Sequence, residues 1–360
     1  LLIVLLLVMI AWLVSVRILL FTNGGQGGLA YPYFYLVYDA LNGLATLHIL
    51  NYINDFYDTR TAKRALPLML SAGIIASALA GFSGNFLEKL ISLENIPLAW
   101  AAALVVVIGF VFLTRHYLSN DASYVSQVRL TRANARASKN SLENLKQGYQ
   151  FVRESGLLRW LALATFLMLF LLKLLTFHAS TFFEAAFAGN PNGRFAFFAS
   201  MDGIGYSLGL LIQLFLFNRL LSRLGVGGMS FIYPSLTFLS VISIVYNPGW
   251  ITSVFGRFNV GIFKRSIRNP LDAMLYNGLP VQVKGRAKGF INAVLVALGT
   301  LVAGLLLYGL KQGWLSETLL DVFGLLAVLL FILSAFKIRE NYTRSLADLL
   351  TDEKLNILSM

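Results

Sequence analysis

The chain opens with LLIVLLLVMIAWLVSVRILLF, a run of apolar residues interrupted by one charge, Arg17. Similar runs recur along its length. As a helix, about 20 apolar residues cross roughly 30 Å of hydrocarbon. Lipid offers no water to backbone amides and carbonyls, so a single spanning segment must satisfy them internally, as a helix does. The runs therefore predict an all-α polytopic membrane protein. Composition agrees, with 57% hydrophobic and 13% charged residues in a chain of 360 and a mean hydropathy of +0.71.

Ten spans are expected, near 1–22, 31–54, 66–86, 97–115, 157–183, 195–218, 228–247, 250–276, 288–310 and 317–337. Orientation follows from the placement of Lys and Arg. With the 55–65 connection in the cytoplasm, the segments 55–66, 115–159, 218–228, 278–288 and the residues after 336 hold 20 of the 29 Lys and Arg. The opposite side holds Lys89, Arg194 and Lys311, and six more lie within spans. The net charge of +12 is thus read as topology bias, not as a nucleic-acid surface. The expected location is a bacterial-type inner membrane, with those loops and the C-terminus cytoplasmic. Residue 1 is Leu, inside a span, with no basic leader or cleavage site around it, and the chain is read as truncated at its N-terminus.

Four regions are expected: a helical part over 1–115, a basic cytoplasmic linker over 116–156, a six-helix part over 157–338 and a cytoplasmic tail over 339–360. Within the linker, Leu142, Leu145, Tyr149 and Val152 recur at helical spacing, which predicts an amphipathic helix on the membrane face. The tail is read either as the start of a fused cytoplasmic regulatory domain or as an end. Cysteine is absent and His48, His116 and His178 are scattered, so neither disulfides nor a metal site is expected. The chain lacks a Gly-x-x-x-x-Gly-Lys-Ser/Thr loop and a nucleophile elbow. No enzyme activity and no cofactor are therefore expected, and any transport would run on gradients or exchange.

Two stretches carry a resemblance. NDFYDTRTAKRALPLMLSAG (54–73) holds Ala62, Lys63, Arg64, Pro67 and Leu68. NPLDAMLYNGLPVQVKGRAKGFINAVLVALG (269–299) holds Pro270, Tyr276, Leu279, Pro280 and the basic run from Lys284 to Lys288. Both resemble turns of the ATP/ADP translocase (nucleotide transporter) branch of the major facilitator superfamily. The layout of four spans, a long basic loop and six spans is similar to that superfamily with its first hairpin missing. The resemblance implies a two-half helical bundle, with ten of twelve helices visible, that rocks about a central cavity. It implies that 31–54, 157–183 and 250–276 line that cavity, and that Lys63, Arg64, Arg219 and Arg223 lie at cytoplasmic gate turns.

Those three spans also hold most of the intramembrane polar groups: Asp39, Asn42, His48 and Asn51, then Lys173 and His178, then Arg257, Asn259, Lys264, Arg265, Arg268 and Asp272. An ionised side chain at mid-bilayer costs at least about 2.5–3.5 kcal/mol, so it is kept where it meets water, a partner or a ligand. At ideal α-helical spacing Arg257, Gly261, Lys264, Arg268 and Asp272 form one stripe, with Arg265 about 100° away. Arg257 to Arg268 spans about 16 Å, which suits an extended polyanion, and Arg and Lys are phosphate-binding chemistry. Lys173, Arg257, Lys264, Arg268 and Asn42 are the candidate substrate-binding residues; Asp39, Asp202 and Asp272 are candidate coupling or ion-pair groups. The competing reading makes Lys264, Arg265 and Arg268 ordinary cytoplasm-facing cations, pairs Asp272 with Arg268 and pairs Lys173 with Asp39 or Asp202. The small-residue ridges Gly73, Ser77, Gly81 and Gly205, Gly209 read as close helix packing.

The expected function is secondary transport of an organic phosphate, plausibly nucleotide exchange, by alternating access. The alternatives are proton-coupled transport of another small solute, and a non-transporting membrane anchor or sensor for a cytoplasmic domain. The expected partners are a lipid bilayer and an anionic small molecule.

Overall fold

A computed structural model describes residues 2–22, 59–118, 141–279 and 281–358, with isolated helical residues between 30 and 49. The side chains of 59–70, 348–358 and a few single positions are outside that description. The described residues are almost wholly helical. The helices are α1 (Leu2–Thr22), α2 (Thr59–Leu90), α3 (Ile96–Leu118), α4 (Ser141–Glu154), α5 (Gly156–Ala186), α6 (Pro191–Leu211) and α7 (Asn218–Met229). They continue with α8 (Ile232–Tyr246), α9 (Trp250–Phe258), α10 (Asn269–Leu275), α11 (Val281–Phe290), α12 (Val296–Lys311) and α13 (Glu317–Leu358). Three π-helical segments, Ile212–Phe217, Asn259–Arg268 and Ile291–Leu295, join α6 to α7, α9 to α10 and α11 to α12.

Six of these stretches are long and apolar enough to cross a membrane: Leu2–Thr22, Leu93–Thr114, Gly156–Ala186, Pro191–Met229, Val283–Lys311 and Glu317–Ala347. This makes the protein an integral, multi-pass membrane protein by length and composition. The ten expected spans reduce to these six among the described residues, for identifiable reasons. Most of 31–54 lies outside them. Ser71–Gly84 and Ile232–Tyr246 are apolar but short. The 250–276 stretch is broken into α9, a π segment and α10, and its five charged residues lower its hydropathy. Its cations are what set it apart from a lipid-crossing run.

The chain forms two compact units, residues 1–73 with 82–139, and 74–81 with 140–360. In the first, α1 packs on α3 through Trp12, Leu13, Val16, Leu20 and Ala101. Rings of Trp12, Phe34, Tyr38 and Trp100 stack or meet edge-on around this contact. Arg17 donates from Nε to Asn95 Oδ1 at 2.7 Å and lies 3.8 Å from Glu94.

In the second unit α5 is the central element. Its sequence is apolar around most of its circumference, and it is buried at many positions from Leu157 to Phe183, as expected of a largely interior helix. Ser155 caps its start by accepting from the Leu158 amide. α13 runs antiparallel along it: Gly156 lies against Asn341 and Gly324 against Leu174, and His178 meets Asp321. Gly225 breaks α7 with a left-handed φ of 65°, which a side chain would strain. The amphipathic helix expected in the linker is α4, and its apolar side meets protein. Val152 is buried, the Tyr149 ring stands 5.7 Å from that of Phe290, and Gly148 lies against the Arg286 carbonyl and Phe290 of α11.

Of the small-residue ridges, Gly81, Gly205 and Gly209 pack closely, whereas a Cβ on Gly73 would meet nothing within 4 Å. A Cβ on Gly81 would strike the Gly203 backbone, while one on Gly205 or Gly209 would meet Ile262. Without a hydrophobic drive between helices in lipid, such close approach supplies the van der Waals contact that holds them. Gly81→Leu is expected to lower stability by about 1–3 kcal/mol through overpacking. Gly304→Ala, where a Cβ meets nothing within 4 Å, should be neutral or stabilising, since Ala is the better helix former. Thermal unfolding of both variants in detergent checks this.

Candidate functional site

The charged residues of 250–276 lie where the helix changes its winding. Over Asn259–Arg268 the backbone is π-helical, and the Asn269 amide donates to the Lys264 carbonyl, five residues back. Segments of this kind occur frequently at functional sites. A buried polar network holds its start. Asn259 is fully buried and donates from Nδ2 to Ser240 Oγ at 3.0 Å. Tyr233 donates its hydroxyl to the Asn259 carbonyl at 3.3 Å, and Thr237 donates to Asn259 Oδ1 at 3.4 Å. All three partners are on α8.

The extra residue per turn moves side chains off the stripe drawn at 3.6 residues per turn. Arg257 turns to α6: Nη2 is 3.3 Å from Asp202 Oδ2 and its guanidinium centre lies 4.3 Å from the Phe198 ring centroid. Arg265, placed off the stripe by ideal geometry, turns to α6 as well. It stacks 4.9 Å from the Tyr206 ring centroid and donates to Ser77 Oγ at 3.2 Å. Arg257 and Arg265 thus lie on aromatic residues of one helix, each pair eight positions apart. A Cβ on Gly261, between them, would stand 3.7 Å from the Tyr206 hydroxyl.

Arg268 goes elsewhere. It is 1% exposed, with Nε 2.9 Å and 3.0 Å from the two Asp272 oxygens and its guanidinium over Phe331 of α13 at 5.7 Å. Its Nη2 is buried with no hydrogen-bond partner. The single acid acting on Lys264 among the described residues is Asp272; Arg265 and Lys173 repel it. Lys288 of α11 also acts on Asp272 and lies 5.9 Å from the Tyr276 ring centroid. Lys264, Arg268 and Lys288 therefore share Asp272 as their carboxylate, while Arg265 and Lys173 act on Lys264.

Two of the three candidate carboxylates have a cation beside them. Asp202 pairs with Arg257, not with Lys173, because α9 and not α5 brings a cation to it. Asp272 pairs with Arg268 at the i, i+4 spacing. Arg219 and Arg223 stand exposed on α7. Asn42 is exposed in the first unit. Asp39 lies outside the described residues, as do the side chains of Lys63 and Arg64. Sequence reasoning passed over Lys288, which reads as one more cation of a basic turn, and Phe198 and Tyr206, whose spacing on α6 is the only hint that they could carry two arginines.

No family model matches the chain, and no curated protein and no solved structure matches it.

Removing one partner of a buried ion pair leaves an unpaired charge and costs about 3–5 kcal/mol. Asp272→Asn is expected to destabilise the protein by about that amount. The double change Arg268→Met with Asp272→Leu should recover most of it, because a well-packed apolar pair replaces a buried ionic one at little cost. Thermal unfolding in detergent compares the three.

Proposed function

We propose that the protein is a secondary transporter of an organic phosphate anion, working by alternating access and resembling the ATP/ADP translocase branch of the major facilitator superfamily. One observation carries the reading: Lys264, Arg268 and Lys288 gather around Asp272, with Arg265 beside Lys264, in a helical unit built mainly of apolar residues. Concentrated positive charge in such surroundings is costly unless an anion offsets it. The buried Nη2 of Arg268 is a charged donor without an acceptor, and a phosphate oxygen is the acceptor suited to it. Lys264 contributes a point charge and Arg265 a planar fork, a mixture that fits an anion with several oxygens better than one carboxylate.

On this reading Lys264, Arg265 and Arg268 take the phosphate groups, with Lys173 and Lys288 adding to the field. Arg257 is half-exposed and bound to Asp202 by one contact at 3.3 Å. A phosphate entering beside Phe198 would compete with Asp202 for its guanidinium, and Asp202 would be released as the anion binds. The π-helical segment provides the change in side-chain direction that brings Arg257 and Arg265 to α6 while Arg268 turns inward. It is also the element best placed to rewind as the substrate arrives.

Purified protein in liposomes preloaded with ADP or an unlabelled sugar phosphate should take up the labelled nucleotide or sugar phosphate by counterflow. Lys264→Gln and Arg265→Gln should each raise the half-saturating concentration about tenfold, the equivalent of about 1.4 kcal/mol. Arg344→Gln, on the exposed end of α13, should leave uptake unchanged. Absence of counterflow with every nucleotide and sugar phosphate tried, together with no ligand-induced rise in unfolding temperature, would defeat the proposal and favour an anchoring or sensing role.

A further inference from the structure

A second pair of ionisable groups lies away from the cation cluster. His178 Nε2 of α5 stands 2.9 Å from Asp321 Oδ1 of α13, and the two side chains are 16% and 21% exposed. Both helices are long and apolar enough to cross a membrane. The surroundings are apolar: Leu174, Leu175 and Leu320 are buried close by in sequence, and the Phe177 ring meets the imidazole edge-on at 5.5 Å. The contact between α5 and α13 does not need this pair. It already extends over apolar residues from Gly156 beside Asn341 to Gly324 beside Leu174, and apolar side chains at the two positions would hold the helices at least as well. An ionisable pair that packing does not require, within lipid-crossing helices, is first a candidate for moving charge or protons.

Its depth suits a proton. His178 lies 22 residues beyond Gly156 and eight before Ala186, about 33 Å and about 12 Å along the axis. A centred α5, about 46 Å long, places the pair about 4 Å inside one edge of a hydrocarbon core of roughly 30 Å.

We propose that His178 and Asp321 form a proton-binding site through which transport responds to the pH difference across the membrane; the coupling rests on the transport reading above, whereas proton binding does not. With the imidazole neutral and the carboxylate ionised the pair carries one negative charge. One proton taken up from water by either group neutralises the pair and removes net charge from apolar surroundings. Release returns the proton to water and restores the charge. Histidine is the side chain whose charge changes near neutrality, and an adjoining carboxylate shares its proton as one coupled unit. Among the described residues, the other charged group acting on Asp321 is Glu317, one turn earlier on α13. Among the described residues, α4, α7, α8 and α12, which pack on α5 or α13, bring no charged group into ion-pair distance of either residue, and Arg257 of α9 is engaged by Asp202. Lys173 and Glu184 share α5 with His178 but form no ion pair with Asp321. A net anion carried inward could then be accompanied by a proton at a site separate from the cations that bind it.

Two measurements on the full chain test this. Infrared difference spectra of the purified protein, recorded as pH is stepped downward, should show a protonated-carboxyl band that is absent from Asp321→Asn and shifted in His178→Gln. Identical spectra in wild type and Asp321→Asn would overturn the proton site. In liposomes, an imposed pH gradient should change net uptake of the transported phosphate by the wild type, and this response should be lost in Asp321→Asn and His178→Gln while counterflow persists. Counterflow with an unaltered gradient response in both variants would overturn the coupling and leave transport standing. Failure of all counterflow would count against the transport reading, and the spectra would still decide whether the pair binds a proton. Elution of each variant at the wild-type volume shows that it is folded.

Discussion

Burial of α5 is the constraint on which the second unit depends. A helix that is apolar around most of its circumference has little preferred side to turn toward lipid, so it is stable inside the bundle only when neighbours cover most of it. α13 covers it along its length, α12, α9 and α8 along parts of it, and α4 at its capped start. Because lipid tails are as apolar as leucine, these contacts are held by shape and not by exclusion from water. The close approach of Gly81 to Gly203, and the seating of Ile262 against Gly205 and Gly209, follow the same rule.

That packing determines what the polar residues can do. Once α8 and α13 are in place, Asn259 finds Ser240, Thr237 and Tyr233, and Arg268 is closed in beneath Phe331. α6 offers Phe198 and Tyr206 to the two arginines that face it. The π-helical winding between α9 and α10 makes both sets of contacts possible at once. In an unbroken α-helix, Arg257 and Arg268 share a side and Arg265 is turned away from it. The added residue per turn separates Arg268 from Arg257 and aligns Arg265 with it instead.

Much of this was legible in the chain. The apolar runs foretold helices, and the cations of 250–276 and Lys173 were visible as anomalies because ionised groups are expensive among apolar segments. The Arg268–Asp272 pair was visible too, since both partners lie on one helix four residues apart. Pairings between helices were not. Asp202 had cations available on two spans and the ladder of packing chose Arg257; Arg17 found Asn95 and Glu94 across a turn far along the chain. Lys288 was hidden in a basic turn, where its charge had a sufficient topological explanation. Among the described residues ten expected spans became six because most of 31–54 lies outside them, Ser71–Gly84 and Ile232–Tyr246 are short, and charges interrupt 250–276.

The sequence by itself determined that the chain is helical and membrane-embedded, and that one region concentrates positive charge within it. Those properties depend on composition and on local backbone chemistry, which each segment carries with it. The tertiary structure alone decided which cations share Asp272, which one stacks on which ring, and that His178 meets Asp321. These are contacts between residues distant in the chain, and they follow from helix crossings and from a local change of winding that a repeat of 3.6 residues per turn does not contain.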